Sequence, residues 1–230
     1  MTAVKMDAKK TLIEDAHLKI KEMIFEQKLI PGQKLNYNQL SRAFSMSPTP
    51  IINALYRLEF EGFVVSEPFK GFYVKKISLQ EAWDLFGGRE ALETYLVEQA
   101  IMMAEPGEIA LLEDKFTAHA AYTPMVYDRE RFRLDSEFHL QLAAMSKNRV
   151  LTRQLETLFE HFYIRFKFET MARDRLQSSV EEHRLIIDRI KKKDITGGRN
   201  AMHNHIQNAR NHLIRILDME DAGGNNRASM

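Results

Sequence analysis

Four residues in the second half of the chain have side chains of the types that bind divalent metal ions. Asp135 and His139 are four positions apart, so on a helix both side chains leave the same face about one turn apart. His183 and His205 each fall in a later helical stretch. One carboxylate and three imidazoles suit a borderline divalent ion. The spacing leaves a second interpretation open, in which Asp135 and His139 are only a surface pair.

The composition limits what such a site could be. The 230-residue chain has no cysteine, which excludes disulfides, thiolate ligands and thiol nucleophiles. An ion would therefore be bound by His, Asp or Glu. Open positions on that ion could activate water or oxygen, as in a metal-dependent enzyme, but no obvious general base accompanies the four residues.

The residues that must position these ligands are almost all helical. After residue 77 the apolar periodicity and the breaks at Pro106-Gly107, Pro124, Lys147-Asn148 and Gly197-Gly198 indicate six helices. They are predicted near 79–104, 107–121, 128–146, 149–171, 177–193 and 196–219. We therefore expect an all-α six-helix bundle over residues 78–220, followed by a disordered tail over 221–230.

The first third of the chain has a different pattern. A helical stripe ends at Ile30-Pro31-Gly32, a brief helix follows, and Ser47 with Pro48 indicates the N-cap and start of a third helix. Two β-rich segments then flank residues 68–71, which is typical of a hairpin. This order predicts a winged helix-turn-helix domain over residues 1–77, so the fold class is mainly α with two domains.

Charge and hydropathy agree with a DNA-binding module joined to a second domain. Residues 1–78 hold 12 Lys and Arg against 8 Asp and Glu, while the remainder holds 21 against 24. A basic first part is typical of nucleic-acid contact. No stretch approaches the roughly 18 apolar residues of a membrane helix, and the first ten residues are too polar for a signal peptide. We expect a cytoplasmic protein without a membrane partner.

The N-terminal domain resembles the GntR family of transcription regulators. The resemblance covers about residues 12–76 and depends on the run Ile30 to Leu35, on Leu40, Ser47, Thr49-Pro50, Ala54-Leu55, Leu58-Glu59 and Glu61-Gly62, and on Gly71 and Val74. It implies that the third helix enters the major groove of DNA and that the hairpin approaches the backbone or minor groove. The residues expected to contact DNA are Arg42, Ser47, Thr49, Asn53, Arg57, Lys70 and Gly71. For the arginines, solvated surface charges are the alternative.

Two positions depart from the GntR pattern. Members of the family usually carry arginine after the serine and again two positions after the second proline, where this chain has Pro48 and Ile52. The acid that usually follows is Asn53. Two strong guanine or phosphate binders are thus absent, so the operator sequence typical of the family is not expected here.

The second domain resembles the FCD effector domain of FadR-type regulators, in its VanR-like six-helix branch. The resemblance spans about residues 79–219 and depends on Arg89-x-x-Leu92-Glu93, Asp135-x-x-x-His139, Glu182-His183 and Met202-x-x-His205. It implies that Asp135, His139, His183 and His205 bind a divalent ion, zinc first, with nickel or manganese as alternatives. It further implies a small organic acid that binds through the ion.

Two arginines are candidates for contact with that acid. Arg89 could hold a carboxylate with two hydrogen bonds, and its alternative role is an ion pair with Glu93. Arg165 lies among aromatic residues and is the weaker candidate.

Together these features predict a metabolite-responsive regulator that binds double-stranded operator DNA as a homodimer and is not an enzyme. Two alternatives remain at this stage. One is a metal-dependent helical enzyme, and the other is a regulator in which the metal is purely structural.

Overall fold

A computed structural model describes residues 11–165 and 174–225. They form two compact units, the first made of residues 11–76 with 164–165 and the second of residues 77–163 with 174–225. The architecture is mainly helical, with a helix-turn-helix unit first and an all-helical unit second, as the sequence predicts. No helix in these two stretches is long and apolar enough to cross a membrane.

The first unit contains three helices and a small sheet. Its elements are α1 (Leu12–Phe25), β1 (Lys34–Leu35), α2 (Tyr37–Phe44), α3 (Pro48–Phe60), β2 (Val64–Glu67) and β3 (Gly71–Val74). The strands are antiparallel in the order β1-β3-β2, so the hairpin of β2 and β3 is extended by the short strand β1.

The turn between α2 and α3 explains how the third helix begins. Ser45 ends α2 in the left-handed conformation, with φ of 54°. Ser47 takes the N-cap position of α3 as expected, but its side chain makes no capping hydrogen bond. Its usual partners are the N–H groups of the second and third helical residues. The third is Pro50, which has no N–H, so one partner is missing.

A buried core fixes α3 within its unit. Ile51, Leu55 and Leu58 are fully buried, as is Ile20 of α1, and they belong to one apolar cluster. The hairpin is attached to the same helix, because the Ser66 N–H donates to Glu59 Oε1 at 2.8 Å. Helix and hairpin are therefore parts of one packed body.

The second unit contains the six helices that hold the metal-binding candidates. They are α4 (Leu79–Met103), α5 (Pro106–Ala121), α6 (Arg129–Met145), α7 (Arg149–Arg165), α8 (Asp174–Lys191) and α9 (Ile195–Asn225). The first begins at a capping box, in which the Ser78 side chain accepts from the Glu81 N–H and the Glu81 side chain accepts from the Ser78 N–H.

The structure differs from the predicted end of the last helix, and the predicted end of α7 falls where the structure is not described. The predicted extension of α7 to residue 171 lies outside the described residues beyond 165. The last helix continues to Asn225, into the segment that we predicted as a tail from residue 221, because each added residue contributes one further helical hydrogen bond. The remainder of that tail, residues 226–230, is also outside the described residues.

A buried arginine joins three helices around the candidate site. Arg131 of α6 is 1% exposed and donates to the backbone carbonyls of His119, Tyr122 and Leu176. These carbonyls belong to the end of α5, its C-cap and the start of α8. Because a charged guanidinium forms stronger hydrogen bonds than a neutral donor, Arg131 fixes α5 and α8 against α6.

Candidate metal centre and nucleic-acid interface

The structure brings the four predicted ligands together inside the helical unit. Asp135 and His139 lie on α6, His183 on α8 and His205 on α9, and all four are buried. One donor atom from each lies within 4.8 Å of all the others. We call this group the His–Asp cluster. Helices α8 and α9 therefore complete the donor set that the i,i+4 pair on α6 begins.

The separations between donor atoms fit a bound divalent ion. Nε2 of His139 lies 3.0 Å from Nε2 of His205 and 3.3 Å from Nε2 of His183. The Asp135 carboxylate lies beside them, with Oδ1 3.5 Å from His183 Nε2 and Oδ2 3.8 Å from His139 Nε2. With metal–nitrogen bonds of about 2.1 Å, neighbouring ligands are about 3.0 Å apart at right angles and about 3.4 Å apart at the tetrahedral angle. The three imidazoles thus direct the same nitrogen toward one point at metal-binding spacing.

Two of these imidazoles are held from behind by glutamates, each paired with an arginine. His139 Nδ1 lies 2.5 Å from Glu93 Oε2, and Arg89 Nε donates to Glu93 Oε1 at 2.7 Å. A carboxylate behind a histidine fixes the tautomer that presents Nε2 to an ion. Burial alone would raise the pKa of Glu93, but Arg89 and His139 outweigh burial and lower this pKa to about 2. Glu93 is therefore a carboxylate at neutral pH.

The same arrangement occurs behind His205. Its Nδ1 lies 2.7 Å from Glu182 Oε2, and Arg175 Nη1 donates to the same oxygen at 2.6 Å. From the sequence, Glu182 was recognised only as part of a motif, and Arg175 was not identified. A possible sequence signal was the seven-residue spacing from Arg175 to Glu182, which is two helical turns. This spacing is too common in helices to be informative alone.

Burial controls the charge of the cluster. It lowers the pKa of His183 and His205 well below the usual value, and the neighbouring imidazoles and Arg175 lower both further. Burial would raise the pKa of Asp135, but His139, His119 and Arg89 outweigh it, so this pKa is lowered. At neutral pH His183 and His205 are therefore neutral and Asp135 is charged, which are the states that bind metal.

Buried polar atoms around the cluster that have no hydrogen-bond partner among the described residues include Arg89 Nη2, both ring nitrogens of His119 and Nδ1 of the ligand His183. Such atoms are uncommon in folded proteins, since each costs about 1–3 kcal/mol, and they often indicate an absent water, ion or ligand. The Glu93 pairing of Arg89 thus leaves one guanidinium nitrogen available. Arg165, the other effector candidate, is buried at the last residue of α7.

All seven residues expected to contact DNA are exposed on the first unit. They are Arg42 on α2, Ser47 before α3, Thr49, Asn53 and Arg57 on α3, and Lys70 and Gly71 in the hairpin. Thr49, Asn53 and Arg57 recur every four residues, which places them along one exposed face of the helix.

Acidic residues pair with two of these cations. Arg57 Nε lies 3.2 Å from Glu61 Oε1, and Lys70 Nζ lies 3.0 Å from Glu67 Oε2. A phosphate would have to compete with these exposed pairs, each worth about 0–1 kcal/mol. Gly71 has φ of 98°, a conformation that alone explains a glycine at this position.

Comparison with known proteins places both units in families. Residues 84–208 match the FCD domain family, and residues 12–74 match the family described as bacterial regulatory proteins, gntR family. The chain is 28% identical over 200 residues to the HTH-type transcriptional regulator YdhC of Bacillus subtilis, covering 86% of this chain and 89% of that protein. It is 33% identical over 136 residues to the nta operon transcriptional regulator of Aminobacter aminovorans, covering 59% and 63%.

Solved structures share the fold at lower sequence identity. Escherichia coli McbR/YncC superposes with a TM-score of 0.68 at 21% identity, covering 91% of this chain and 98% of that one. A GntR regulator from Rhodococcus sp. RHA1 also gives a TM-score of 0.68, at 15% identity and with coverage of 90% and 97%. At these identities the similarity concerns the fold alone.

Proposed function

The chain belongs to the FCD domain family and carries a gntR-type DNA-binding domain, and we propose that a small organic acid, bound at a divalent ion in the FCD domain, controls its affinity for operator DNA. The chain is a transcription regulator of this type and not an enzyme. The relatives that it matches are also transcription regulators. The enzyme interpretation of the four ligands is therefore dropped.

The observation that carries the proposal is the His–Asp cluster. Three imidazoles and one carboxylate form a nitrogen-rich donor set that suits zinc, with nickel and manganese as alternatives. Glu93 and Glu182 lie behind His139 and His205 and fix their orientation. When bound, the ion supplies positive charge and open coordination positions for an anionic oxygen.

Arg89 supplies the second contact proposed for the acid. Its Nη2 is buried and unpartnered among the described residues, while its Nε is occupied by Glu93. The Glu93 pair also fixes the guanidinium in place, with Phe159 packed 4.6 Å from its central carbon. A carboxylate that reaches the ion and this nitrogen would satisfy both, which favours an acid over a neutral metabolite.

DNA contact is proposed for the exposed face of α3 and for the hairpin. Helix N-termini usually bind phosphate through free N–H groups. Here Pro48 and Pro50 remove two of these groups from the first turn, so Ser47, Thr49 and Asn53 side chains must contribute more of the contact. One short helix reads few bases, so we propose that two copies bind a pseudo-palindromic operator as a homodimer.

A purely structural ion remains the second candidate, because the cluster is deeply buried. His139 and His183 have no exposed surface, as in closed sites that only stabilise a fold. A structural ion would stabilise the helical unit without changing DNA affinity when acids are added. The two candidates therefore differ in a measurable quantity.

Calorimetric titration of organic acids separates them. We would titrate metal-loaded and chelated protein, each with and without operator DNA, and compare the wild type with Arg89→Ala. We expect acid binding only with metal, weaker binding in the variant, and a change of about 5–150-fold in acid affinity on adding operator. Arg199→Ala is the matched control, since Arg199 is exposed and pairs with Glu98.

Linkage defines the outcome that contradicts the proposal. If acid changes DNA affinity, operator DNA must change acid affinity by the same factor. Equal acid affinity with and without operator would leave a metal protein that binds an acid but does not sense it. Acid binding that persists after metal removal would place the acid elsewhere.

A further inference from the structure

His119, near the end of α5, is a buried imidazole without a hydrogen-bond partner. Its exposed fraction is 0%, and neither ring nitrogen forms a hydrogen bond with any described residue. Its backbone carbonyl accepts a hydrogen bond from Arg131, so the chain that carries the ring is fixed. Because each unsatisfied buried nitrogen costs about 1–3 kcal/mol, the ring is expected to gain a partner in the working protein.

A carboxylate oxygen of the cluster lies close to this ring. His119 Nε2 lies 3.5 Å from Asp135 Oδ1, just beyond a normal hydrogen bond. The ring also lies against the ligand His183, with ring centroids 4.7 Å apart. His119 therefore faces the cluster from α5, a helix that supplies none of its ligands.

The other three ligands are held by neighbours outside the cluster. Glu93 lies behind His139, Glu182 lies behind His205, and the Phe138 ring stacks on His183 at 4.1 Å. Among described residues, the ion-pair contacts of Asp135 within 4 Å are with His139, His183 and His119. Of these three, only His119 lies outside the cluster, so it can orient Asp135 without also binding the ion.

We propose that His119 is a positioning residue, which donates its Nε2–H to Asp135 Oδ1 and leaves Oδ2, 3.8 Å from His139 Nε2, for the ion. The inference rests on the metal site proposed above. The hydrogen bond requires closure by only about half an ångström from the observed 3.5 Å. It limits Asp135 to one metal bond, which keeps a coordination position open for the acid.

Metal affinity with matched variants tests this role. We would titrate Zn²⁺ into the full chain against a chromophoric chelator, for wild type, His119→Phe and His119→Gln. The phenylalanine fills the space without a donor, whereas the glutamine amide can place a donor near the position of Nε2. Loss of such a support typically weakens metal binding by about 10–100-fold, so we expect this loss in His119→Phe and substantial recovery in His119→Gln.

His203→Phe is the control, because His203 is an exposed histidine on α9 that pairs with Glu90. The His203→Phe variant should bind Zn²⁺ as tightly as the wild type. Thermal unfolding of each metal-free variant establishes that it folds. A folded His119→Phe variant with wild-type Zn²⁺ affinity overturns the proposal. A His119→Gln variant that binds Zn²⁺ as weakly as His119→Phe also overturns it, because His119 would then act by shape or as a ligand.

A second measurement does not depend on metal. Nitrogen NMR of histidine-labelled, metal-free protein identifies which ring nitrogen of His119 carries the proton. A proton on Nε2 supports donation to Asp135, and a proton on Nδ1 overturns it. If the wild type binds no ion, the proposed metal function fails, yet the tautomer still decides whether His119 orients Asp135.

Discussion

The buried pair of Arg89 and Glu93 should contribute strongly to the stability of the helical unit. Both side chains are at most 3% exposed, and Nε lies 2.7 Å from Oε1. Glu93→Gln keeps the shape but removes the charge that compensates Arg89. The pKa of Glu93 falls from 4.5 to about 2 on folding, which corresponds to about 3 kcal/mol of preference for the carboxylate. Breaking a buried pair from one side costs about 3–5 kcal/mol.

We therefore expect Glu93→Gln to lower the free energy of unfolding by about 3 kcal/mol at pH 7. A carboxylate with a depressed pKa contributes its stability above pH 4.5 and loses it as the pH falls toward 2. The difference between wild type and variant should shrink over the same interval. Urea unfolding of chelated protein, followed by fluorescence of the single tryptophan, Trp83 on α4, reports on this unit.

A double-mutant cycle shows whether the cost comes from the pair. Arg89→Met with Glu93→Gln should be about 2–3 kcal/mol more stable than the sum of the single effects, because no buried charge is left alone. Asp188→Asn with Lys192→Met is the control, since that exposed pair has the same i,i+4 spacing at 2.9 Å and a coupling of about 0–1 kcal/mol is expected. Additive effects at Arg89 and Glu93 would refute the reasoning.

Three further predictions concern metal, pH and DNA. The double variant His139→Ala/His205→Ala should lose the bound ion in metal analysis, and retention of a full equivalent would place the ion elsewhere. Zn²⁺ affinity of the wild type should start to weaken only well below pH 6.5, because burial lowers the pKa of His183 and His205. Competition titrations across pH measure this affinity, and a midpoint near 6.5 would mean that these imidazoles are hydrated. In binding-site selection, Asn53→Ala should relax base preference while Lys70→Ala weakens all sequences about equally and lowers the salt slope by about 1; the reverse pattern would exchange their roles.

The sequence was sufficient to predict the secondary structure and the order of the elements. A proline or glycine follows the ends of α3, α4 and α5, although Gly197-Gly198, predicted as a break, lies in the first turn of α9. The periodicity of Ile51, Leu55 and Leu58 predicts the buried face of α3. These signals are local, since a cap, a break or an apolar stripe involves residues within a few turns. The N-cap at Ser47 shows the limit, because the capping bond depends on a donor that Pro50 lacks.

The candidate ligands were also identified from the sequence, through the i,i+4 pair and the resemblance. Their convergence is a result of tertiary structure. His183 and His205 lie 44 and 66 residues after His139, the ligand that both of them face. The pH range expected for metal binding also depends on tertiary structure. Side-chain type gives an imidazole pKa near 6.5, but burial among other imidazoles lowers it.

The residues behind the ligands were decided by packing alone. Arg175, Glu182 and His119 lie on two different helices, and no local pattern distinguishes them from exposed charges or from an ordinary core histidine. Their roles arise because buried charges and imidazoles must find partners where water is excluded, and only the fold determines which partners are within reach. The sequence thus determined which residues could bind an ion, and the tertiary structure decided which residues orient them and in which protonation state.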